Sequence, residues 1–328
     1  MAITVNDFPA LTDDLQEIFN EGAKRNVAEM VGNKVFEVRD TNRRTFDHLI
    51  LHGVNGIQEV TPGADFPTVN TDEGDSITYT QRYFGGNFKV TKEMRKFDLY
   101  SQIEGLARTL TDSAFDNIDQ SYADVLLNGW STSYNDVWNG TVTSTGPDGL
   151  ALFSTDHTNG VSTSSATFRN RIKNSSATED PALDRDAIVT ARRDAKVHKD
   201  PEGHKKPVRL DRLIVAPSNE DLAERTILST QMSGTANNDV NPLKGKIKEI
   251  LVWERLEENS AGTDTSAYWF MQDMRAGGES LKSKFAERPS LDAPEQVYRN
   301  KNWEYTIDFF YTVGLGYPAY IWGSRGTA

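Results

Sequence analysis

The chain contains no cysteine among its 328 residues. Disulfide cross-links and thiolate metal sites are therefore excluded, and a reducing compartment causes it no difficulty. Positive charge is scarce: 36 Lys and Arg stand against 48 Asp and Glu, a net charge of −12. A dedicated nucleic-acid binder needs a basic face to displace counterions from phosphates, so this balance argues against one. It still allows a wall that faces nucleic acid without gripping it. The basic clusters, Arg192-Arg193 and Lys205-Lys206, are short and read as solvated faces. Long apolar runs are missing as well, and none approaches the roughly 20 residues of a membrane span. The opening MAITVNDFPALTDD has no basic segment followed by an apolar run, so no signal peptide is expected, and folding in a cytoplasm is.

Catalytic and cofactor patterns are equally thin. There are five histidines. His48 and His52 have the spacing of two metal ligands on a helix face, but the zinc-protease pattern needs a glutamate after the first histidine, and Leu49 stands there. Ordinary polar positions are the better reading. Ser154, Asp156 and His157 supply the residue types of a hydrolase triad, yet there is no GxSxG, and adjacency in sequence is no evidence for a triad. His198 and His204 flank the turn signal DPEG. Gly314-Leu315-Gly316 lacks the third glycine of a dinucleotide fingerprint, and no Walker sequence is present. No catalytic residue, metal ligand or cofactor is assigned.

The most regular stretch is Lys92–Trp130. Leu99, Ile103, Leu106, Leu110, Ala114, Ile118, Tyr122 and Val125 recur at three or four residues, the period of one helix face. No proline interrupts it, and Gly129 stands where a left-handed C-cap is expected. From Arg95 to Asn128 this predicts a helix about 50 Å long, a spine for other layers.

Residues 1–52 read as an arm. An amphipathic helix carries Leu11, Leu15, Ile18, Phe19, Ala23, Val27 and Met30, with Thr12 or Asp13 as N-cap, and β-type alternation follows around Val35 to Val38. Residues 53–91 read as a two-stranded excursion with a loose tip at Thr61 to Asp75 and a second strand SITYTQRYFGGNFKVT. Gly85-Gly86 suggests a bulge or bend in that strand. Phe66, Val69, Ile77, Tyr79, Tyr83 and Phe84 on the excursion need cover, from the same chain or from a neighbour. Residues 131–180 are rich in Ser, Thr, Asn and Gly, with firm anchors only at Leu150, Leu152 and Phe153. Asp184 caps a helix reaching His198. A strand at Leu210–Val215 is stopped by Pro217, and Ser218 caps the helix that follows. KIKEILVWERLEE and SAYWFMQD supply two more strands, and WEYTIDFFYTVGLGYPAYIWGS is the most β-prone stretch.

These segments resemble the major capsid proteins of tailed bacteriophages with the HK97-type fold, and within them the Mu-like head-subunit group. The resemblance rests on FKVTKEMRKFD leading from an extended loop into a spine helix, on DGLALFSTDHTNG, on LIVAPSNEDLAERTIL and on the ending NKNWEYTIDFFYTVGLGYPAYIWG. It implies an α+β fold: an N-terminal arm (1–52), an extended loop (53–91), a peripheral domain with the spine helix and a long loop (92–207), an axial domain (208–285) and a return to the peripheral domain (286–328). It further implies a subunit that assembles through hexamers and pentamers into an icosahedral head around DNA, without enzymatic activity. A separate scaffolding protein, a portal and a decoration protein are its expected partners, and the virion, assembled in the host cytoplasm, its location. Phe19, Phe66, Val69, Ile77, Tyr79, Tyr83 and Phe84 are the expected contacts between subunits. Some relatives cross-link through a lysine in the extended loop; Thr61 to Asp75 has none, so a non-covalent shell is expected. Relatives also carry a scaffolding segment before the arm, whereas the arm here begins almost at Met1. The same fold would also suit an encapsulin-like compartment, and a cytosolic hydrolase using Asp156 and His157 is the alternative from another class.

Overall fold

A computed structural model describes residues 8–51, 59–63, 65–66, 73–97, 100–136, 140–158, 167–199, 204–231, 239–297, 299 and 302–327. Leu99, His52 and Val69 fall outside the described residues. The arm begins with α1 (Phe8–Glu29), which starts upstream of Thr12 and Asp13, so neither residue caps it. Leu15, Phe19 and Met30 are buried, while Val27 is left exposed. A short helix α2 (Gly32–Val35) then delivers the chain to β1 (Glu37–Asp40), and β2 (Thr45–Leu51) follows. β3 (Glu73–Thr80) pairs antiparallel with β2, so the hairpin's first strand lies within the segment expected to be the arm. At Gln81 the chain leaves that ladder. β4 (Arg82–Val90) pairs instead with a strand near the C-terminus. The expected single strand from Ser76 to Thr91 is thus two strands in two ladders. The expected bulge at Gly85-Gly86 is absent, because β4 keeps unbroken register from Arg82 to Val90. The glycine at 86 serves close packing: a Cβ there would sit 3.2 Å from Leu110 of the spine.

The spine is shorter than expected. α3 (Lys92–Lys96), capped by the Thr91 side chain accepting from Met94 N–H, is separate from α4 (Tyr100–Leu127). At 1.5 Å per residue α4 spans about 42 Å. Its first half is amphipathic, with Ile103, Ala107, Ala114 and Ile118 buried, but Leu106 is 40% exposed and not on the covered face. From Ser121 to Leu127 every residue is buried, because the helix passes there between layers. Gly129 does not take the left-handed conformation. What requires glycine is Phe153, whose ring lies 2.6 Å from where a Cβ would be.

β5 (Ser133–Asp136) and β6 (Gly140–Thr143) form a small hairpin, and β7 (His157–Thr158) pairs with β8 (Thr167–Phe168). α5 (Arg185–Lys196) has its expected cap, Asp184 accepting from Ala187 N–H at 2.9 Å. β9 (Arg212–Val215) leads into α6 (Glu220–Leu228). Ser218 does not cap α6. Its N–H and hydroxyl both donate to the Glu257 carboxylate at 2.6 Å, pinning the turn to the loop after β10 (Glu249–Val252). The chain closes with β11 (Trp269–Gln272), α7 (Gly277–Ser280), β12 (Leu281–Leu291), β13 (Glu295–Gln296), β14 (Trp303–Leu315) and β15 (Ile321–Ser324).

Among the described residues two larger sheets organise the molecule. In one, β14 is central, with β12 and β13 along one edge, β4 along the other, and β1 parallel to β12. Directly opposed aromatics, Phe84 with Phe309 and Phe88 with Tyr305, stack at 5.4 and 5.0 Å and cover α4. The other sheet runs β10-β9-β11-β15. Period-two alternation gives it two buried faces. Ile214, Leu251, Phe270 and Ile321 face the spine's core. Leu213, Val215, Trp269, Met271 and Trp322 face a second core built with α5 and α6.

Candidate assembly surface

The arm is fastened to its own molecule. Phe19 is 5% exposed in the spine's core, so it offers nothing to a neighbour; it is a core residue, not a surface contact. The reason is that α1 lies along α4, where alternating apolar positions on both helices find mutual cover. Gly32 lets α2 press on Tyr122, and the Gly32 N–H donates to Asp119. Asp119 also accepts from the Trp253 indole N–H at 3.0 Å, bridging arm, spine and second sheet. Burial raises the Asp119 pKa, and these donated bonds oppose the rise. At the end of α2, Arg212 donates to the Lys34 carbonyl at 2.5 Å and Gln272 to the Val35 carbonyl at 2.7 Å, satisfying backbone acceptors a short helix leaves open.

The hairpin root is held differently. The Tyr79 hydroxyl donates to the Leu315 carbonyl at 2.5 Å and accepts from the Leu315 N–H at 2.7 Å. It therefore takes the place of a partner strand beyond the end of β4. Gly314 permits this, since a Cβ there would sit 2.7 Å from the Tyr79 ring. Burial pushes the phenol's pKa well up. Phe46 packs on Tyr79 at 5.3 Å, and Lys284 lies 3.8 Å over the Phe46 ring. Ile77, half-buried, stands opposite His48. His48 is half-buried on a strand and not on a helix. Burial, then Lys282 and Lys284, push its pKa down to about 4.

The exposed apolar groups lie farther out. Phe66, near the hairpin tip, is 88% exposed. Tyr83 is 61% exposed on β4, stacked on Phe310 at 4.4 Å with its hydroxyl donating to Asp308 at 3.1 Å. Phe84 turns inward onto Phe309 and Tyr311. Phe97, between α3 and α4, is 70% exposed and escaped the sequence reading. The signal available was its place beside the polar run Lys92–Lys96, off the helical stripe. A groove of about 270 Å³ lies under the hairpin root, lined among others by Thr80, Arg82, Tyr134 and Thr143.

The candidate triad does not form. His157 is fully buried, its Nδ1 2.6 Å from Asp148 and its Nε2 3.1 Å from the Leu152 carbonyl. Both nitrogens are committed, so neither can take a proton from a nucleophile. Ser154 Oγ instead accepts from the Asp156 N–H. The DG-LFS-DH segment is a structural knot. Asn170, wholly buried, accepts from Ser154 N–H and donates to the Leu152, Pro318 and Ile321 carbonyls. Phe153 enters between Gly129 and Gly323. Sequence reading missed Asn170, which lies in a stretch without periodicity. Among the described residues no three His, Asp or Glu side chains could hold a metal ion, and no helix is long and apolar enough to cross a membrane.

The model of a family described as phage capsid protein matches residues 73–326, so most of the chain lies inside it. The chain belongs to the phage capsid protein family. Solved structures are similar to the chain. That of Mycobacterium phage Che8 matches at TM-score 0.51 and 10% identity, over 92% of each chain. The procapsid of bacteriophage JBD30 matches at 0.47 and 14% identity, over 98% of this chain and 76% of that one. The capsid of cyanophage P-SCSP1u matches at 0.49 and 11% identity, over 88% and 86%. A search of curated protein sequences found no match. The fold is the α+β, HK97-type capsid fold, and the protein is a head-shell subunit of the virion that assembles with its own copies.

Proposed function

We propose that the chain is a non-enzymatic shell subunit whose extended hairpin reaches across to a neighbouring copy. The observation that carries this is the contrast along the chain's first ninety residues: Phe19 finds its cover at home, whereas Phe66 is 88% exposed. An aromatic left in water on the connection between β2 and β3 is stabilised by a partner surface. In this reading the sheet centred on β14, with α4, forms the peripheral region. The β10-β9-β11-β15 sheet with α5 and α6 forms the axial region, which meets its copies in pentamers and hexamers. Phe66, Val69 and Tyr83 supply contacts. Scaffolding, portal and decoration proteins act as separate chains, and the shell encloses DNA without sequence-specific grip. The shell is non-covalent, consistent with the absence of lysine from Thr61 to Asp75.

Electron microscopy and sedimentation of the expressed chain, with its scaffolding protein where needed, test this. Shells or capsomer rings are expected. Phe66→Ala should leave the unfolding midpoint of the unassembled subunit unchanged and cut shell yield severalfold. Unimpaired assembly by this variant would remove the hairpin from the contact.

A further inference from the structure

We propose that the outward faces of α5 and α6 are the two halves of a head-to-tail contact between neighbouring copies of this chain. The inference rests on the shell reading and adds the surfaces and the kind of force that joins them. Both helices bury one side in the second core: Ala187, Ile188, Ala191 and Ala195 from α5, Ala223 and Ile227 from α6. Their other sides differ in sign. On α5, Arg185, Val189, Arg193 and Lys196 are exposed at helical spacing and form one stripe. On α6, Glu220, Asp221 and Glu224 are exposed, followed by Leu228.

Two charges of each stripe enter no ion pair inside the molecule among the described residues. Arg193 pairs with Asp194, and Arg225 with Asp221, but Arg185, Lys196, Glu220 and Glu224 enter no ion pair among the described residues. Beside the basic stripe, Arg192 Nε is buried with no acceptor among the described residues. In a chain of net charge −12, a helix with this cluster of exposed cations stands out.

Apolar groups accompany the charges on both faces. Val189 and Val197 are 40% and 63% exposed near the basic stripe. Leu228 and Val240 are 54% and 76% exposed near the acidic one. Exposed valines have no use against phosphates, so the basic stripe fits a protein partner, and the complementary surface is present on this same chain. Two different patches that join head to tail make a heterologous contact, the kind that closes into a ring when the rotation between copies allows it. Opposite charges set register and hasten association, and they weaken with salt.

The test uses the four charges free of intrachain pairs. Arg185→Glu with Lys196→Glu, and separately Glu220→Lys with Glu224→Lys, should each leave the subunit's melting temperature near the parent's and cut capsomer yield at least tenfold. All four substitutions in one chain exchange the signs and should restore most of that yield. Parent-like assembly by either double variant, or a fourfold variant no better than the doubles, overturns the contact. So does an Arg185→Glu/Lys196→Glu chain that forms shells normally but loses retained DNA, an outcome that would assign the stripe to nucleic acid. A parent chain that stays monomeric under every condition fails the shell reading itself, and is told apart by needing no variant.

Discussion

Replacing Tyr79 with phenylalanine removes one oxygen and no packing. The ring stays against Phe46 and over Gly314, while both hydroxyl bonds to Leu315 disappear. Leu315 is 2% exposed, so water does not readily replace them. A buried backbone group left unpaired costs about 1–3 kcal/mol. Two such groups, with some relaxation, give an expected loss of about 2–4 kcal/mol in subunit stability. Urea unfolding of the unassembled subunit measures it, and hydrogen exchange localises it: the Leu315 amide should lose protection while amides in β9 and β11 keep theirs. A stability change under about 0.5 kcal/mol, the range of ordinary surface substitutions, together with unchanged exchange at Leu315, would refute the claim that Tyr79 closes the open edge of β14. The result also separates Tyr79 from Phe66, since the first acts within the subunit and the second between subunits.

His157→Ala should destabilise the subunit by about 1–3 kcal/mol, read as a lowered urea midpoint, because it removes the buried ring's bonds to Asp148 and to the Leu152 carbonyl and leaves Asp148 only the Leu150 N–H. A surface-like loss would mean that the knot does not depend on this pair. His48 makes a pH prediction. Its folded-state pKa of about 4 lies below the ordinary 6.5, so the unfolded chain takes up a proton the folded one refuses. Stability therefore falls as pH drops from about 6.5 to 4 and levels below that. Partial exposure trims the effect to about 1–2 kcal/mol. His48→Gln should flatten the stability–pH curve in that window; identical acid slopes in both proteins would rule out the lowered pKa that burial, with Lys282 and Lys284, gives His48.

Local patterning made much of this fold legible. The helical period from Ile103 to Val125, the Asp184 cap, and the β-prone segments at Leu213, Leu251, Phe270 and Ile307 each express a preference of neighbouring residues, which short-range sterics and burial enforce. The same reading stretched the spine through Phe97, because period alone does not report where a turn breaks a helix. It also placed Leu106 inside, although a stripe on one helix gains cover only where another element lies beside it.

Partnership between distant segments was not legible. Nothing near Gln81 says that β3 joins β2 while β4 joins β14, since a strand's partner is chosen by side-chain fit across the whole molecule. The candidate contact surface divided along the same line. Phe19 and Phe66 were both expected at contacts between subunits. The lie of α1 along α4 buries the first, while the second, between β2 and β3, is 88% exposed. Composition and periodicity determined which elements exist and that no disulfide or thiolate site supports them. Which apolar groups are spent at home, and which remain for a neighbouring copy, was decided by tertiary packing, because burial is a property of surfaces brought together and not of any one stretch of chain.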